Sequence, residues 1–544
     1  MRRSLALAAV LAALAAGFAA GARPARGASV CSGTCFAAPP GSGALFLFSG
    51  HGYGHGVGMS QYGAYGYAQH GSTFREILAH YYPGTKLGPA PVSSIRVLLA
   101  DRQKRLTLSS TAAWSVRDGA GTTVPLAAGA LTVTPSLKVA GRALAAPLVF
   151  TPGKGAPLTL KLPYRGRIAV DVVDGRLRAV DVVSLEQYLY GVVPSEMPST
   201  WAPEALKAQA VAARSYALAT RAVGAPFDVY ADTRSQMYLG LSHESPAATA
   251  AVNATKRQVL LYNGSVATTY FSSTSGGKTE SSQAWSGTAL PYLVSVPDPY
   301  DDISPYHDWG PVPVTAKTIK SALKLAMPVT DATTTLDPGG RVALLSFLTP
   351  FSPVPVTGAK LRAAIGLRST WFTVGVMSLA PPTPNPVVVY GSSVTLAGSV
   401  RGVGGVTLEQ RPLGGQWQPL GAVTAGRALE LAERPSQTTD YRLATAAAAA
   451  GSVRIRVAPS VTLTSLTSTE VTGSVLPILP AAPVQVQEQG ADTTVWTTVA
   501  TGAVAADGTF SVPAQLEPGG TYRVTVAPAA GYAPGTTPAQ IAAR

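Results

Sequence analysis

The spacing of apolar positions changes character along the chain, and each change predicts a different element. Residues 93–180 alternate apolar and polar positions in short runs: Ile95–Leu99, Leu106–Leu108, Leu131–Thr134, Leu148–Thr151, Leu158–Leu162, Ile168–Val173 and Leu177–Val183. Period two with turn signals at Asp118-Gly119 and Asp174-Gly175 predicts strands, arranged as a small sheet or barrel. The stretch YLYGVVPSEMPSTWAPEALKAQAVAARSY, Tyr188 to Tyr216, breaks that pattern. A strand-like run through Leu189, Tyr190, Val192 and Val193 is expected to stop at Pro194, leaving Glu196 on a short loop before Pro198. Pro203 then opens a helix, where its missing N–H costs nothing. The helix is coated with Ala205, Ala208, Ala210, Ala212, Ala213 and Ala217, so it is expected to be buried on nearly every side. Yet it carries Lys207, Gln209, Arg214, Ser215 and Tyr216. Lys207 and Arg214 share one face, Gln209 and Tyr216 another. Buried cations need a partner, and Glu196 just upstream is a candidate.

Elsewhere the pattern is more ordinary. Met59–Gln69 and Phe74–Tyr82 have helical spacing, the second ended by Pro83-Gly84. Ala247–Thr255 predicts another helix, and Asn263-Gly264 predicts a hairpin between Gln258–Tyr262 and Ser265–Phe271. Ala316–Leu325 and Gly358–Ile365 read as helices and Trp371–Val376 as a strand. From Pro381 the chain turns to Pro, Val, Thr and Gly, and two stretches share one plan. Val406-Thr-Leu-Glu-Gln matches Val484-Gln-Val-Gln-Glu, Trp417 matches Trp496, and Tyr441-Arg442 matches Tyr522-Arg523. The expected fold class is an α+β domain, β-rich with a buried Ala-rich helix, over residues 45–380. After it come two all-β immunoglobulin-like sandwich modules, 386–458 and 460–544.

Composition adds a compartment. At 544 residues the chain is too long for a single core, and its 13% charged residues are few for soluble domains. Arg2 and Arg3 precede an uncharged run from Leu5 to Gly21, followed by small residues: an export signal over residues 1–28. That run is long enough that an uncleaved N-terminal membrane anchor stays open. Cys31 and Cys35, the only cysteines, sit in a short segment at 29–44, where a small disulfide suits an exported protein better than a metal or redox pair. The expected location is secreted or wall-associated. Net charge is +14, or +10 without the four arginines of residues 1–28. Dispersed basicity outside the cell fits an anionic envelope polymer, and no Lys/Arg stripe interleaved with aromatics argues for nucleic acid.

Two further stretches carry candidate chemistry. Gly50-His51-Gly-Tyr-Gly-His55-Gly-Val-Gly58-Met-Ser-Gln61 is glycine-rich, so the backbone can approach a ligand closely. His51 and His55 read as metal ligands, substrate contacts or a general base, or else as hydrogen-bonded imidazoles of a structural loop. The glycines do not form a dinucleotide fingerprint, and nothing in the chain calls for a cofactor. The loop Ser272-Ser273-Thr-Ser275-Gly-Gly-Lys-Thr-Glu280 suits sugar hydroxyls or an acetamido group, or is a plain polar turn. Pro291 to Asp301 is proline-stiffened and aromatic.

YLYGVVPSEMPSTWAPEALKAQAVAARSYA, GHGVGMSQYGAYGYA with ILAHYYPGT, FSSTSGGKTESS and GLRSTWF together resemble the blocks of the sporulation stage II protein D family, which includes amidase-enhancer proteins. The likeness spans roughly residues 45–377. It implies a role on peptidoglycan, with sporulation members similar to lytic transglycosylases and the glutamate of the SEMP-type loop as catalytic acid, here Glu196. It also implies a substrate groove involving Lys207, Gln209, Arg214, His51, His55 and Gln61, and Tyr216, Gln236, Ser273 and Ser275 are further candidates for binding substrate. The expected partners are peptidoglycan glycan strands and a cell-wall amidase. Val193, Met197 and Trp201 would raise the pKa of Glu196, whereas Lys207 and Arg214 would lower it if they touched it. Glu186 and Glu204 are expected at a strand edge and a helix start, and Glu196 paired with Arg214 is the purely structural alternative. Two departures stand out. The GHGVGMSQ block precedes the others, as though the domain were circularly permuted. And the stretch aligned with a zinc-binding block in some members, Tyr230 to Gln236, has no thiol or imidazole, so no metal is expected. Whether the role belongs to sporulation, growth or division is not legible.

Overall fold

The computed structural model describes residues 43–542, except 381, 383–386, 491–493, 528 and 529. The export signal and the Cys31/Cys35 pair lie outside the described residues.

The alternating stretch forms a seven-stranded sheet in the order Val229–Tyr230, Ser94–Gln103, Arg176–Ser184, Arg167–Val173, Leu148–Thr151, Trp114–Arg117, Thr123–Leu126. Its inward positions, Ile95, Val97, Phe150, Ile168, Val170, Leu177 and Ala179, are buried in one core. Strand Arg176–Ser184 runs straight into a helix.

Here the structure corrects the sequence reading. The helices in this half are α1 (Gln61–Gln69), α2 (Phe74–Tyr81), α3 (Leu185–Glu196), α4 (Pro203–Thr220) and α5 (Pro246–Ala254). The segment read as a strand ending at Pro194 is α3, and Glu196 is its last residue rather than part of a loop. Ser184 caps the helix by accepting from the Gln187 N–H. Leu185, Tyr188, Leu189, Val192 and Val193 recur at helical spacing and all face the core. Pro194 lies in the final turn and costs the helix one N–H donor, after which the Met197 N–H still bonds the Val193 carbonyl.

The coat of alanine on α4 does what it predicted: twelve of its 18 residues are buried. Ala205, Ala210, Ala213 and Ala217 join the core beneath the sheet. Ala208, Val211 and Ala212 join a second core with Met59, Tyr81, Tyr82 and Leu260. Side chains this short let a helix fit between two packed layers.

A five-stranded sheet links this region to the β-rich remainder of the chain. Leu45–His51 lies between Asp308–Thr315 and Phe372–Ala380, and the last strand continues to Val394–Arg401 and Gly426–Glu433. Strand pairing therefore runs across the segment at 381–386. Phe46, Phe48, Val374 and Val376 face a core with Ile319, Leu345, Phe347 and Leu361. Leu45, Leu47, Met377 and Leu379 face the opposite way, onto Leu396, Leu408, Tyr441 and Ile455. Burial on both faces explains why Leu45-Phe-Leu-Phe48 is apolar without alternation. In the last unit, a sheet of Ser460–Leu466, Glu470–Leu476 and Thr509–Pro513 shares a core with the sheet built on Pro483–Gln489 and Thr521–Val526.

Candidate functional site

The glycine-rich loop builds one wall of the site. Gly52, Gly54, Gly56 and Gly58 all adopt left-handed φ, between +71 and +119°. At Gly58 a Cβ would lie 2.1 Å from the Tyr270 carbonyl oxygen, so any other residue would push the loop off its neighbour. Met59-Ser60 then pairs in parallel with Phe271-Ser272, and Ser60 Oγ caps α1 by accepting from the Gly63 N–H at 3.0 Å. Gln61 is thereby fixed at the first position of α1. Its Nε2 donates to the Glu196 main-chain carbonyl at 2.8 Å, joining the glycine-rich loop to the end of α3.

The Glu196 carboxylate itself accepts one hydrogen bond, from the Met237 N–H to Oε1 at 3.1 Å. The residue is partly buried, above the fully buried Val193 and Met197. Desolvation lifts its carboxyl from the ordinary 4.5 to about 6, with the Met237 N–H acting the other way. Tyr188 and Tyr216 sit close enough to feel its charge. Burial pushes the Tyr216 phenol up to about 12, with Tyr270 and Glu196 adding to it. Tyr188, fully buried, donates to Gln236 Oε1 at 3.1 Å. Beside Gln61, Tyr65 stacks on Trp201 with centroids 4.6 Å apart and Tyr62 meets it edge-on at 4.7 Å. Tyr62 and Tyr65 of this aromatic face and the Met237-Tyr238 pair are what the sequence did not mark.

Neither cation of α4 pairs with Glu196. Lys207 Nζ bonds Glu204 Oε1 at 2.6 Å, and Glu204 also accepts from the Phe74 N–H at the start of α2. Arg214, with no exposed surface, bonds Glu186 at 2.6 Å and the carbonyls of Gln258 and Val252. Glu186 is therefore not a strand-edge residue: it lies in the first turn of α3 and neutralises a buried guanidinium 28 residues away. The Arg214 pair fastens α4 to α3, the Lys207 pair lies within α4, and neither cation is left for Glu196. Gln209 is fully buried, and neither of its amide atoms bonds another described residue.

The remaining candidates belong to a second cluster. Ser275, fully buried, donates to Asp298 Oδ2 at 2.8 Å, which also takes the Tyr81 hydroxyl on its other oxygen. Asp301 accepts from Ser60 Oγ at 2.5 Å, from the N–H groups of Ser275 and Gly276 at 2.9 Å, and from His307 Nδ1 at 3.2 Å. Burial and the neighbouring Asp301 raise the Asp298 carboxyl to about 7. His51 bonds the exposed Asp308 at 2.6 Å. His55 accepts from the Val57 N–H at Nδ1 and lies against Trp285. Burial, with Arg362 and Arg341 nearby, lowers its imidazole to about 3, so it is neutral at any ordinary pH. The Ser273 carbonyl accepts from the Tyr62 N–H at 3.0 Å. Among the described residues no group of three or more His, Cys, Asp or Glu side chains is placed to hold a metal ion.

The family model for stage II sporulation protein (SpoIID) matches residues 173–262, which include α3, α4 and the Met237 segment. Stage II sporulation protein D of Bacillus amyloliquefaciens is 32% identical over 238 residues, covering 40% of this chain and 67% of that protein. The Bacillus subtilis protein of the same name is 37% identical over 155 residues. The amidase enhancer of Bacillus subtilis is 45% identical over 115 residues. The chain spans 45% and 15% of those last two proteins' lengths.

Proposed function

The chain belongs to the stage II sporulation protein D family, and from that premise we propose that it acts on peptidoglycan glycan strands as a lytic transglycosylase. The observation that carries the reading is Glu196: one desolvated carboxyl, raised to about 6, with a free oxygen and no cation. A glycosidase that uses water usually needs two carboxyl groups about 5–9.5 Å apart. Here the nearest sequence candidates, Glu186 and Glu204, are held by Arg214 and Lys207. One carboxyl is enough if the substrate supplies its own nucleophile. Protonated Glu196 gives its proton to the glycosidic oxygen between N-acetylmuramic acid and N-acetylglucosamine as the C1–O bond breaks. The muramic C6 hydroxyl then bonds to C1 and returns a proton to Glu196. The products are a free 4-hydroxyl and a 1,6-anhydro end, and no water is consumed.

Gln61 and the Met237 N–H hold the acid in place, while Trp201, Tyr62 and Tyr65 offer aromatic faces to sugar rings. In this reading Lys207, Gln209, Arg214, Tyr216, Gln236, Ser273, Ser275, His51 and His55 shape the groove, Arg214 and Ser275 from behind. The rearranged block order is supported by adjacency. The strand leading into the glycine-rich loop lies antiparallel to Phe372–Ala380, and Gly54 N–H donates to the Arg368 carbonyl. Export and wall attachment, with the immunoglobulin-like units as spacers or wall-binding modules, complete the proposal.

A second reading draws on the 45% identity to an amidase enhancer: the same groove holds glycan without cutting it and assists an amidase. Peptide-stripped glycan incubated with wild type and Glu196→Gln separates the two. Anhydro-muramic ends from the wild type alone support cleavage; intact glycan that is still bound overturns it in favour of the enhancer.

A further inference from the structure

We propose that the chain carries a second binding site, for a phosphodiester-linked polyol polymer, at the end of the seven-stranded sheet remote from α3. There a cavity of about 560 Å³ is lined by Arg102, Gln103, Lys104, Arg105, Asp174 and Arg176. Four cations meet one carboxylate, and among the described residues none of the four forms an ion pair. Arg178 beside them does, with Asp101 at 3.1 Å. Clustered like charges weaken the folded state through mutual repulsion, so the arrangement calls for an anion.

The backbone points the same way. Arg102 has a left-handed φ of 54° in an irregular stretch of the strand, where Ala100 to Gln103 face Ala179 to Leu177. Glycine holds such a conformation without strain, and a bulge re-aims side chains out of the ladder. A strained arginine at the rim of a basic cavity is therefore a feature of binding rather than of folding. Asp174 sits across the cavity in its own left-handed turn with Gly175, φ 49° and 68°.

The lining selects the ligand. Guanidinium groups match phosphate oxygens in a fork geometry, and Asp174 and Gln103 suit hydroxyl groups between phosphates. No aromatic side chain lines the cavity to stack on bases, and no large apolar one to enter a bilayer. Strand Arg176–Ser184 separates this end from the start of α3 by roughly 26 Å, at about 3.3 Å per residue. A polymer held here would keep the Glu196 end close to the wall.

Poly(glycerol phosphate) is titrated against the full chain and against an Arg102→Ala, Lys104→Ala, Arg105→Ala, Arg176→Ala variant. Exposed charges are worth about two- to fivefold each, so the variant should bind at least about tenfold more weakly, with a melting temperature level or higher once the repulsion is relieved. Arg102→Gly alone should weaken binding while leaving the melting temperature level or higher. Replacing the three arginines by lysine keeps the charge but loses the fork, and should recover only part of the affinity that the alanine variant loses. Unchanged binding by the quadruple variant, or no binding by the wild type, overturns the proposal. So does equal or tighter binding to poly-glutamate, oligo-dT or anionic vesicles. None of these outcomes depends on whether Glu196 cuts glycan.

Discussion

Glu196 and the Asp298/Asp301 pair are both desolvated acids on elements next to the glycine-rich loop, and both centres raise a carboxyl, to about 6 at Glu196 and about 7 at Asp298. What separates them is how their oxygens are used. Asp301 takes four donors from three segments, and Asp298 takes Tyr81 and Ser275 with no surface exposed. Glu196 takes one backbone donor and reaches solvent. A raised carboxyl pKa marks burial, which a structural clamp and a catalytic acid share. A free oxygen with access to solvent distinguishes the acid.

The same chemical change, carboxylate to amide, should therefore have opposite effects at the two places. Glu196→Gln should lower the rate of anhydro-muramic product formation about a hundred- to ten-thousandfold, the range of general acid–base catalysis, while the protein stays folded. Asp301→Asn should instead turn an amide NH2 toward two of the four donors, whichever oxygen it replaces, and destabilise the fold by about 3 kcal/mol, from lost and unsatisfied hydrogen bonds. Urea unfolding with a parallel product assay checks both. An Asp301→Asn protein of wild-type stability, or an unfolded Glu196→Gln protein, would break the comparison.

How much of this contrast the sequence held depends on distance along the chain. The alanine coat of α4 was legible because periodicity reports burial directly, and the Asn263-Gly264 hairpin because turn chemistry is local: both residues have positive φ. Glu196 and Gln61 were legible through resemblance to known blocks. Helix α3 is hidden because Pro194, a residue that ordinarily stops a helix, masks the helical spacing of Tyr188, Leu189, Val192 and Val193. The pairing of Arg214 with Glu186 depended on that hidden helix, so Glu196 stood as the nearer candidate. The clamp was invisible: Ser60 and Asp301 are 241 positions apart, and no local pattern links them. Nor could sequence show that Met237 would offer its backbone N–H, a group every residue but proline carries.

Acidity gives a finer test of the same contrast. Folding raises the Glu196 carboxyl from 4.5 to about 6. Below about pH 4.5 it is protonated folded or unfolded, and burial adds no cost. As pH rises through about 6 the folded state must hold a charge, and the penalty grows to about 2 kcal/mol. Glu196→Gln should therefore gain up to about 2 kcal/mol of stability above pH 6 and nothing below pH 4.5. Wild-type cleavage, which needs the protonated acid, should fall over the same rise. A stability difference that does not vary with pH would mean that Glu196 is not desolvated.

The smallest expected effect concerns Gln61, which belongs to both regions. It is next in the chain to Ser60, whose hydroxyl the Asp301 clamp holds, and it donates to the Glu196 carbonyl. It thus connects the clamp to the residue proposed as the acid. Gln61→Ala removes one hydrogen bond, worth about 0.5–1.5 kcal/mol, and leaves the clamp intact. If that bond serves position, cleavage should fall about three- to tenfold, with kcat carrying the loss and KM little changed, and the melting temperature should drop only a few degrees. If it served stability alone, the melting temperature would fall and the rate per folded molecule would not. The ratio of kcat between Gln61→Ala and wild type, measured well below the melting temperature, decides whether the clamp and the acid work as one machine or merely share a neighbourhood.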